Sequence, residues 1–479
     1  MPVRPADFTQ ISPLSSRFQV TPEAANSFPF FSGCPLAITE AAVTIWVDRE
    51  TPRESKLTGR RFRLPRLSIL FYARHRAHPA NWVGFAFFPA MKLKQIPEDF
   101  QVEELGDLQP ADRGNFACYL LEKRGLGTPE AVLAICRKWK LRPRAVSFGG
   151  LKDRHALTRQ FLTIFRGPRR GFRQPHLHVQ YLGQLSRPFA PEHVRGNRFT
   201  IVLREMSPAG LRFAEQALAE AKLDGVANYF DDQRFGSVGP QGEFVARKLI
   251  EEDYEGALKL ALLQPYEFDR PAQRDEKRIL RECWGLWSTA QARLPRGTAR
   301  EIVNYLVQHP SDFHGAFARL RDDIKSLYLS AYQSHLWNRI LSRWLQDHCR
   351  RDQMTYLQLQ LGKHPTPRRL EDAQRTQLQG QTLPLPSARL KLAAEDPRKP
   401  LYEAVLEEEG LTLAQMKLRH FREPFFAKGE RAALLLPEGL EHEVEADELH
   451  RGGRKLALRF DLPRGAYATM VVKRITSAW

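Results

Sequence analysis

Cysteine is scarce in this chain of 479 residues, and its placement suits neither metal binding nor disulfide formation. The five thiols, Cys34, Cys118, Cys136, Cys283 and Cys349, lie far apart, with no C-x-x-C pair and no histidine-rich partner spacing. That excludes a zinc ribbon and a disulfide framework. No apolar run approaches the roughly 18 residues that a membrane span needs, and the N-terminus lacks the charged, apolar, small-residue order of a secretory signal. A reducing cytoplasm is the default compartment for such a chain. Acidic residues are also in deficit: 55 Asp+Glu stand against 73 Lys+Arg, a formal charge of +18. Such a surplus favours a polyanionic partner, because cations that meet phosphates release condensed counterions, and nucleic acid leads on charge alone. Arginine is prominent, and its planar guanidinium pairs bidentately with phosphate and stacks on bases, as lysine cannot. The plain alternative is a basic protein with a solvated surface. At 42% hydrophobic residues the chain can fill cores for two or three domains.

Residues 1–90 mix Pro, Ser, Thr and Arg with short apolar patches such as Trp82–Phe88, without sustained helical or alternating period. They read as a poorly ordered extension. Met91, after Pro89-Ala90, opens a far more orderly stretch, so translation is expected to start there; peptides from before Met91 in the natively expressed protein would refute this. The rival readings are a basic RNA-contacting tail and an organelle presequence, the latter opposed by Asp7, Glu23 and Glu40.

From Met91 strands and helices mix. Residues 92–104 read as a turn leading into a strand. Thr128-Pro129 predicts a helix start, with threonine as N-cap and proline in the first turn, and Leu133, Cys136, Trp139 and Leu141 give that helix an apolar face. Phe161–Phe165 and Arg198–Arg204 read as strands. Ser207-Pro208 repeats the helix-start signal, with Leu211, Ala214 and Leu218 on one face and Gly225 as the stop. From about Asp232 to about Pro424 the pattern is mostly helical, notably over Phe244–Ile250 and Leu329–Leu345, whose Trp337 and Trp344 are expected in the core. Residues 362–387, rich in Pro, Gln, Thr and Arg, read as an exposed basic loop. Strands return at Arg431–Leu436 and Lys455–Phe460. There is no internal repeat, and a helical region inserted into a strand-rich domain is the simplest organisation.

Three separated clusters have chemical potential. In Gly149-Gly150-Leu151-Lys152-Asp153-Arg154 the glycines can take backbone angles closed to other residues and admit a ligand, and they present one carboxylate between two cations. Carboxylates act as nucleophiles at sugar carbons, as general bases or as metal ligands; a lone aspartate argues against metal. Lys152 and Arg154 can keep Asp153 ionised or hold phosphates, and a charged hairpin turn is the plain alternative. In Asn228–Gly236, an amide (Asn228) can read a base edge, an aromatic (Tyr229, Phe230) can stack on it and Arg234 can hold its phosphate. In Leu462–Met470, a Pro-x-Gly turn presents Tyr467 just after a strand. Taken singly, residues of the last two clusters read as structural.

In this order the clusters resemble the TruD family of RNA pseudouridine synthases. The family's lysine followed by Pro-Glu-Asp-Phe is matched by Lys94 and Pro97–Phe100, and its Gly-x-Lys-Asp by Gly150–Asp153. Its Asn-Tyr-Phe-Gly-x-Gln-Arg-Phe-Gly is matched by Asn228–Gly236, a helix beginning Ser-Ala by Leu329–Ser334, and a closing Leu-Pro-x-Gly-x-Phe-Ala-Thr by Leu462–Thr469. The resemblance spans about residue 91 to the C-terminus. It implies an α+β fold: a pseudouridine synthase-type catalytic domain with a mixed or antiparallel sheet, in two parts (91–231 and 425–479), interrupted by a mainly helical insertion domain (232–424). The implied activity is cofactor-free and metal-free isomerisation of uridine to pseudouridine in tRNA, usually at uridine 13. Carried over by position, Asp153 is the catalytic aspartate, Lys94 its candidate ionic partner, and Phe100, Asn228, Phe230 and Tyr467 bind substrate. Lys152, Arg154 and Arg234 are the candidate RNA-binding residues. Nothing in the sequence points to an obligate protein partner. Asp231 stands where the family usually has glycine, Tyr467 replaces the commoner phenylalanine, and the stretch between Gly236 and Leu329 is long. The alternatives are a pseudouridine synthase acting at another tRNA site or on several RNAs, and a noncatalytic RNA-binding or RNA-folding protein.

Overall fold

The computed structural model describes residues 92–266, 269–418 and 425–476. The expectations for residues 1–90, including a start at Met91, lie outside them.

Alternating burial builds the main sheet. Strand β1 is Lys92–Leu93, and β2 is Phe100–Gly106, in which Phe100, Val102 and Glu104 are buried while Glu103 is exposed. Next come β3 (Phe116–Arg124), β4 (Val146–Phe148), β5 (Leu157–Phe165), β6 (Phe172–Gln174), β7 (Leu177–Leu185) and β8 (Val194–Met206). Helix α1 (Thr128–Trp139) buries Ala131, Val132, Ile135 and Cys136 against apolar side chains of β3, β5 and β7. Its cap is Gly127, not Thr128. The Thr128 hydroxyl is fully buried and bonded elsewhere, which removes it from the capping role its sequence position implied. Helix α2 (Pro208–Asp224) starts as expected, with Ser207 accepting from the Gly210 N–H, and ends at Gly225, whose φ of 80° suits glycine.

After β9 (Val226–Ala227) the chain enters the helical region: α3 (Val245–Ile250), α4 (Tyr254–Leu263), α5 (Pro271–Glu282), α6 (Trp287–Arg293), α7 (Thr298–Gln308) and α8 (Phe313–Ala318). The long α9 (Asp322–His348) runs through its core, with Trp337 and Trp344 buried as expected. Residues 362–387 are not an exposed loop. They form β11 (Gly362–Pro367), which pairs with β10 (Met354–Leu359), then α10 (Asp372–Leu378) and β12 (Thr382–Pro384). His364, Pro365, Thr366 and Pro367 are buried, because the Tyr229 hydroxyl donates to the Pro365 carbonyl at 2.6 Å and the Ala227 N–H to the Thr366 hydroxyl at 3.0 Å. Composition misled there: tertiary partners satisfy the polar groups that would otherwise hold the segment in water. Helix α11 (Lys399–Glu408) completes the region.

The apolar stretch from Arg431 breaks at Ala433 into β13 (Glu430–Ala432) and β14 (Leu434–Leu435), which pair with β12 and β9 respectively. Then β15 (Glu438–Ala446), β16 (Arg454–Pro463) and α12 (Ala468–Thr476) return to the main sheet. Its order is β15-β16-β8-β2-β5-β3-β7-β6, with β1 on β8 and β4 on β5. Only the β2–β5 pairing is parallel, so the sheet is mixed, as expected for an α+β fold. The helical core takes in Leu434, Leu435, Tyr467 and Met470, so segments that follow the helical region share it.

Within the sheet, Arg204 on β8 is buried and bonds Asp99 at 2.7 Å and Asp447 at 2.8 Å. Burial pushes the Asp447 carboxyl up, but backbone N–H groups, His450 and Arg204 outweigh this and hold it well below the usual range. Arg204→Met leaves two buried carboxylates without their cation, so a loss of about 3–5 kcal/mol in urea unfolding is expected. Because the folded value of Asp447 is depressed, its share of stability is present at neutral pH and lost as pH falls through that value.

Candidate active site

A cavity of about 160 Å³ opens where β2, β8, the loop before β5 and the turn between β16 and α12 converge. A cavity of about 150 Å³ holds one six-membered ring, so there is room for a single base. Phe100 and Phe199 line it with their rings edge-on at 6.2 Å, and Tyr467 lines it from the Pro463–Gly465 turn.

Asp153 and Lys94 face each other in this cavity and form an ion pair. The Asp153 carboxylate takes the Lys94 ammonium on Oδ2 and the His155 N–H, at 2.8 Å, on Oδ1. Burial raises its pKa, but the Lys94 charge and hydrogen bond and the His155 N–H outweigh burial and leave it below the ordinary carboxylate value. The Lys94 ammonium also sits 4.0 Å from the centre of the Phe100 ring. Its backbone has φ 57°, rare for a side-chain-bearing residue. The chain beyond it is pinned by the Asp99 carboxylate, which accepts from the N–H groups of Gln95 (3.0 Å) and Ile96 (3.2 Å) and is itself held by Arg204.

The loop carrying Asp153 is fixed from beneath by Lys123 and Gln160, which the sequence did not single out, and by Thr128, which it placed at a helix cap. Lys123 on β3, almost fully buried, donates to the carbonyls of Asp153 (2.7 Å) and Lys152 (3.1 Å). Thr128 accepts from the Lys152 N–H at 3.0 Å and donates to Gln160, whose amide donates to the Gly150 carbonyl at 3.0 Å. Neither Gly149 nor Gly150 has a positive φ. At Gly149 a Cβ would meet Val194 at 2.3 Å and Phe189 at 2.9 Å, so glycine is needed there for close packing rather than for unusual angles. At Gly150 a Cβ would meet nothing within 4 Å, and that residue lines the cavity.

Residues 89–475 match the family model for tRNA pseudouridine synthase D. The chain belongs to the TruD family. It is 30% identical over 394 residues to the "Probable tRNA pseudouridine synthase D 2" of Methanocaldococcus jannaschii, covering 80% of this chain and 91% of that one. It is likewise 30% identical over 397 residues to the tRNA pseudouridine synthase D of Geobacter sulfurreducens, covering 80% and 93%. A crystal structure described as TruD from Methanosarcina mazei superposes with a TM-score of 0.61 at 26% identity, covering 80% of this chain and 93% of that one. Membership gives the reaction class: isomerisation of uridine to pseudouridine in tRNA.

Within this TruD fold the residues singled out by sequence fall into two groups. Asp153, Lys94, Phe100 and Tyr467 meet in the cavity. Asn228, Phe230 and Arg234 lie behind it. The Asn228 amide is buried and engaged at both ends, donating to the Ala432 carbonyl at 2.9 Å and accepting from Arg431 at 2.5 Å. Phe230 packs edge-on to Trp337 (5.5 Å) and to Tyr467 (6.3 Å), and Arg234 is buried beside it at 5.4 Å. Arg234 therefore has no open path to an RNA phosphate. Lys152 forms a buried 2.5 Å ion pair with Glu104, and Arg154 pairs with Glu130 at the surface. Asp231 has extended backbone, φ −83° and ψ 168°, so no strain arises; its carboxylate takes the Thr469 hydroxyl and Lys473, tying two of the motifs together.

Sequence reasoning missed Asn197 and Arg464. Both line the cavity, and the Asn197 Oδ1 and one Arg464 amino group are buried without a hydrogen-bond partner among the described residues. Their signal was slight: Gly196-Asn197 directly precedes the stretch read as a strand from Arg198, and Arg464 is the variable position of the Pro-x-Gly turn. Buried polar atoms left open in a cavity wall are where a ligand's own polar groups would satisfy them.

Proposed function

We propose that this chain isomerises uridine 13 of tRNA, with Asp153 as the catalytic carboxylate and residues 91–231 and 425–479 as the catalytic domain around an insertion at 232–424. One observation carries the reading: a half-buried, ionised carboxylate paired with Lys94 faces a cavity sized for one base and walled by aromatic rings. Extruding a uridine from its stack costs roughly a few kcal/mol, and restacking on Phe100 or Tyr467 returns part of that.

In the reaction the C1′–N1 bond breaks, the uracil turns over within the cavity, C5 bonds to C1′ and gives up its proton, and N1 takes one up. Asp153 serves either as the nucleophile at C1′ or as the base that opens a glycal route; in both it must be ionised, which the Lys94 pair secures. The unpartnered amide oxygen of Asn197 is the group this geometry offers to the uracil N–H edge, in place of Asn228. Lys152 and Glu104 position the loop, while Asn228, Phe230 and Arg234 support Tyr467 from behind. No cofactor enters any step, and the cytoplasm is the compartment that fits a tRNA substrate.

The test is to incubate the purified chain with unmodified tRNA transcripts and map pseudouridine by chemical labelling. Pseudouridine at position 13 is expected. Modification elsewhere would replace the site assignment with the broader-specificity alternative, and tRNA binding without any isomerisation would leave the noncatalytic RNA-binding alternative.

A further inference from the structure

Between Glu130 and Glu192 the chain carries one acidic residue, Asp153, against thirteen lysines and arginines. Folding gathers most of these cations away from the cavity. Arg137, Lys138, Lys140, Arg142 and Arg144 follow one another off the end of α1 and are all exposed. Arg166, Arg169, Arg170 and Arg173, in and beside the turn from β5 to β6, are exposed as well. None of these nine forms a salt bridge among the described residues, whereas Arg154 and Arg159, nearer the cavity, are both paired.

The two groups share one end of the sheet. β4 begins at Val146, opposite Ile164, and Gly167 packs on that same Ile164. Trp139, at the end of α1, stacks edge-on against Phe172 of β6 at 5.0 Å. The surface is also held in shape. The Tyr119 hydroxyl donates to the Pro168 carbonyl, and Gly171 passes so close to the Val179 carbonyl, 2.1 Å from where a Cβ would stand, that the loop cannot slide. Arg166 lies 5.2 Å from the Phe165 ring, itself unusually exposed. Pairing of cations with the α1 dipole explains Arg137 and Lys138 but none of the others. The adjoining loop, in which Asn115 accepts from the Arg166 N–H, carries two carboxylates, Asp107, paired with Arg195, and Asp112, with Arg113 beside it.

We propose that this face is a second tRNA-binding surface, holding backbone phosphates of the substrate outside the target nucleotide. β5 joins it to the catalytic loop: its nine residues at roughly 3.3 Å each put the patch about 26 Å from the Leu157 end, where Asp153 lies. A folded tRNA with one nucleotide in the cavity extends well past that distance. Arginines fixed on a scaffold suit a phosphate backbone, giving affinity and register rather than base identity. The inference rests on tRNA being the substrate and not on the role of Asp153 or the position modified.

The test is a fourfold variant, Arg137→Gln, Lys140→Gln, Arg169→Gln and Arg170→Gln, all exposed positions. Binding to full-length tRNA and to a short stem-loop carrying the target uridine is measured across salt concentrations, using enzyme whose thermal unfolding matches the parent. Affinity for tRNA is expected to fall about tenfold or more, and the slope of log K against log salt to shrink by about 0.7–0.9 for each phosphate that the variant no longer neutralises. Affinity for the stem-loop and kcat at saturating tRNA stay unchanged. A separate Lys138→Gln, Arg173→Gln pair gives a smaller loss of the same kind. Unchanged tRNA affinity and salt slope in both variants would overturn the proposal, as would an equal loss on the stem-loop. Because binding alone is read, a failed catalytic assignment for Asp153 leaves the result intact.

Discussion

Asp153→Asn is expected to abolish pseudouridine formation while leaving tRNA bound within a few-fold of the parent. The substitution keeps the shape of the side chain and its bond from the His155 N–H, but an amide neither attacks a sugar carbon nor accepts its proton. A loss of about 10³-fold or more in single-turnover rate follows from deleting the reacting group. The loop should not collapse, because Lys123, Thr128 and Gln160 hold its backbone independently of the carboxylate. A variant that still modified tRNA at a tenth of the parent rate would remove Asp153 from the chemistry.

The same site fixes the sign of a pH effect. Burial alone would raise the Asp153 pKa; Lys94 and the His155 N–H bring it below the ordinary value. The parent enzyme should therefore stay active as pH falls to that depressed value. With Lys94→Met the opposing charge is gone while burial remains, so the acidic limb of the rate profile should move to higher pH. A merely structural lysine would lower the rate without moving the limb.

Much of this site was legible because reacting groups sit in short ordered motifs. Lys94 and Asp153 are 59 residues apart, and only the order of the motifs hinted that they meet. The strands at Phe161–Phe165 and Arg198–Arg204 followed from short β-rich runs and the Ser207 cap from local chemistry, since both are decided within a few residues. What stayed hidden was decided over long separations. The resemblance implied a substrate-binding role for Asn228, but motif order does not say which way an amide points, and its partner Arg431 is 203 residues away. Lys123 lies on a strand the sequence did not reveal, Gln160 just before a run read only as a buried strand, and Thr128 was read as a cap, so none pointed to the loop that all three hold. The polar, proline-rich segment 362–387 became strand and helix because Tyr229 and the Ala227 backbone reach it from another part of the chain, which no local window contains.

Arg431 itself gives the second large effect. It is buried, with no salt bridge among the described residues, and its guanidinium donates to the Asn228 carbonyl (2.8 Å), the Asn228 Oδ1 (2.5 Å) and the Gly465 carbonyl (2.8 Å). The rings of Phe230, Trp337 and Tyr467 surround it at 4.2, 5.5 and 5.6 Å. Burial pushes its pKa down to about 10, so it remains a cation at neutral pH. Arg431→Met removes a cation that burial disfavours, but leaves three buried acceptors without charge-assisted bonds of roughly 1.5–3 kcal/mol each. The net should be a loss of stability of about a few kcal/mol, measurable by urea unfolding. Activity should fall further than stability implies, because Gly465 anchors the turn that places Tyr467, and a misplacement of about 1 Å at a reacting centre costs about 10²-fold. Arg431→Lys keeps the charge without the planar fork that reaches both Asn228 and Gly465, so it should restore little of the rate. Full activity in Arg431→Met at a temperature where it stays folded would show that Tyr467 keeps its place without this buried cation.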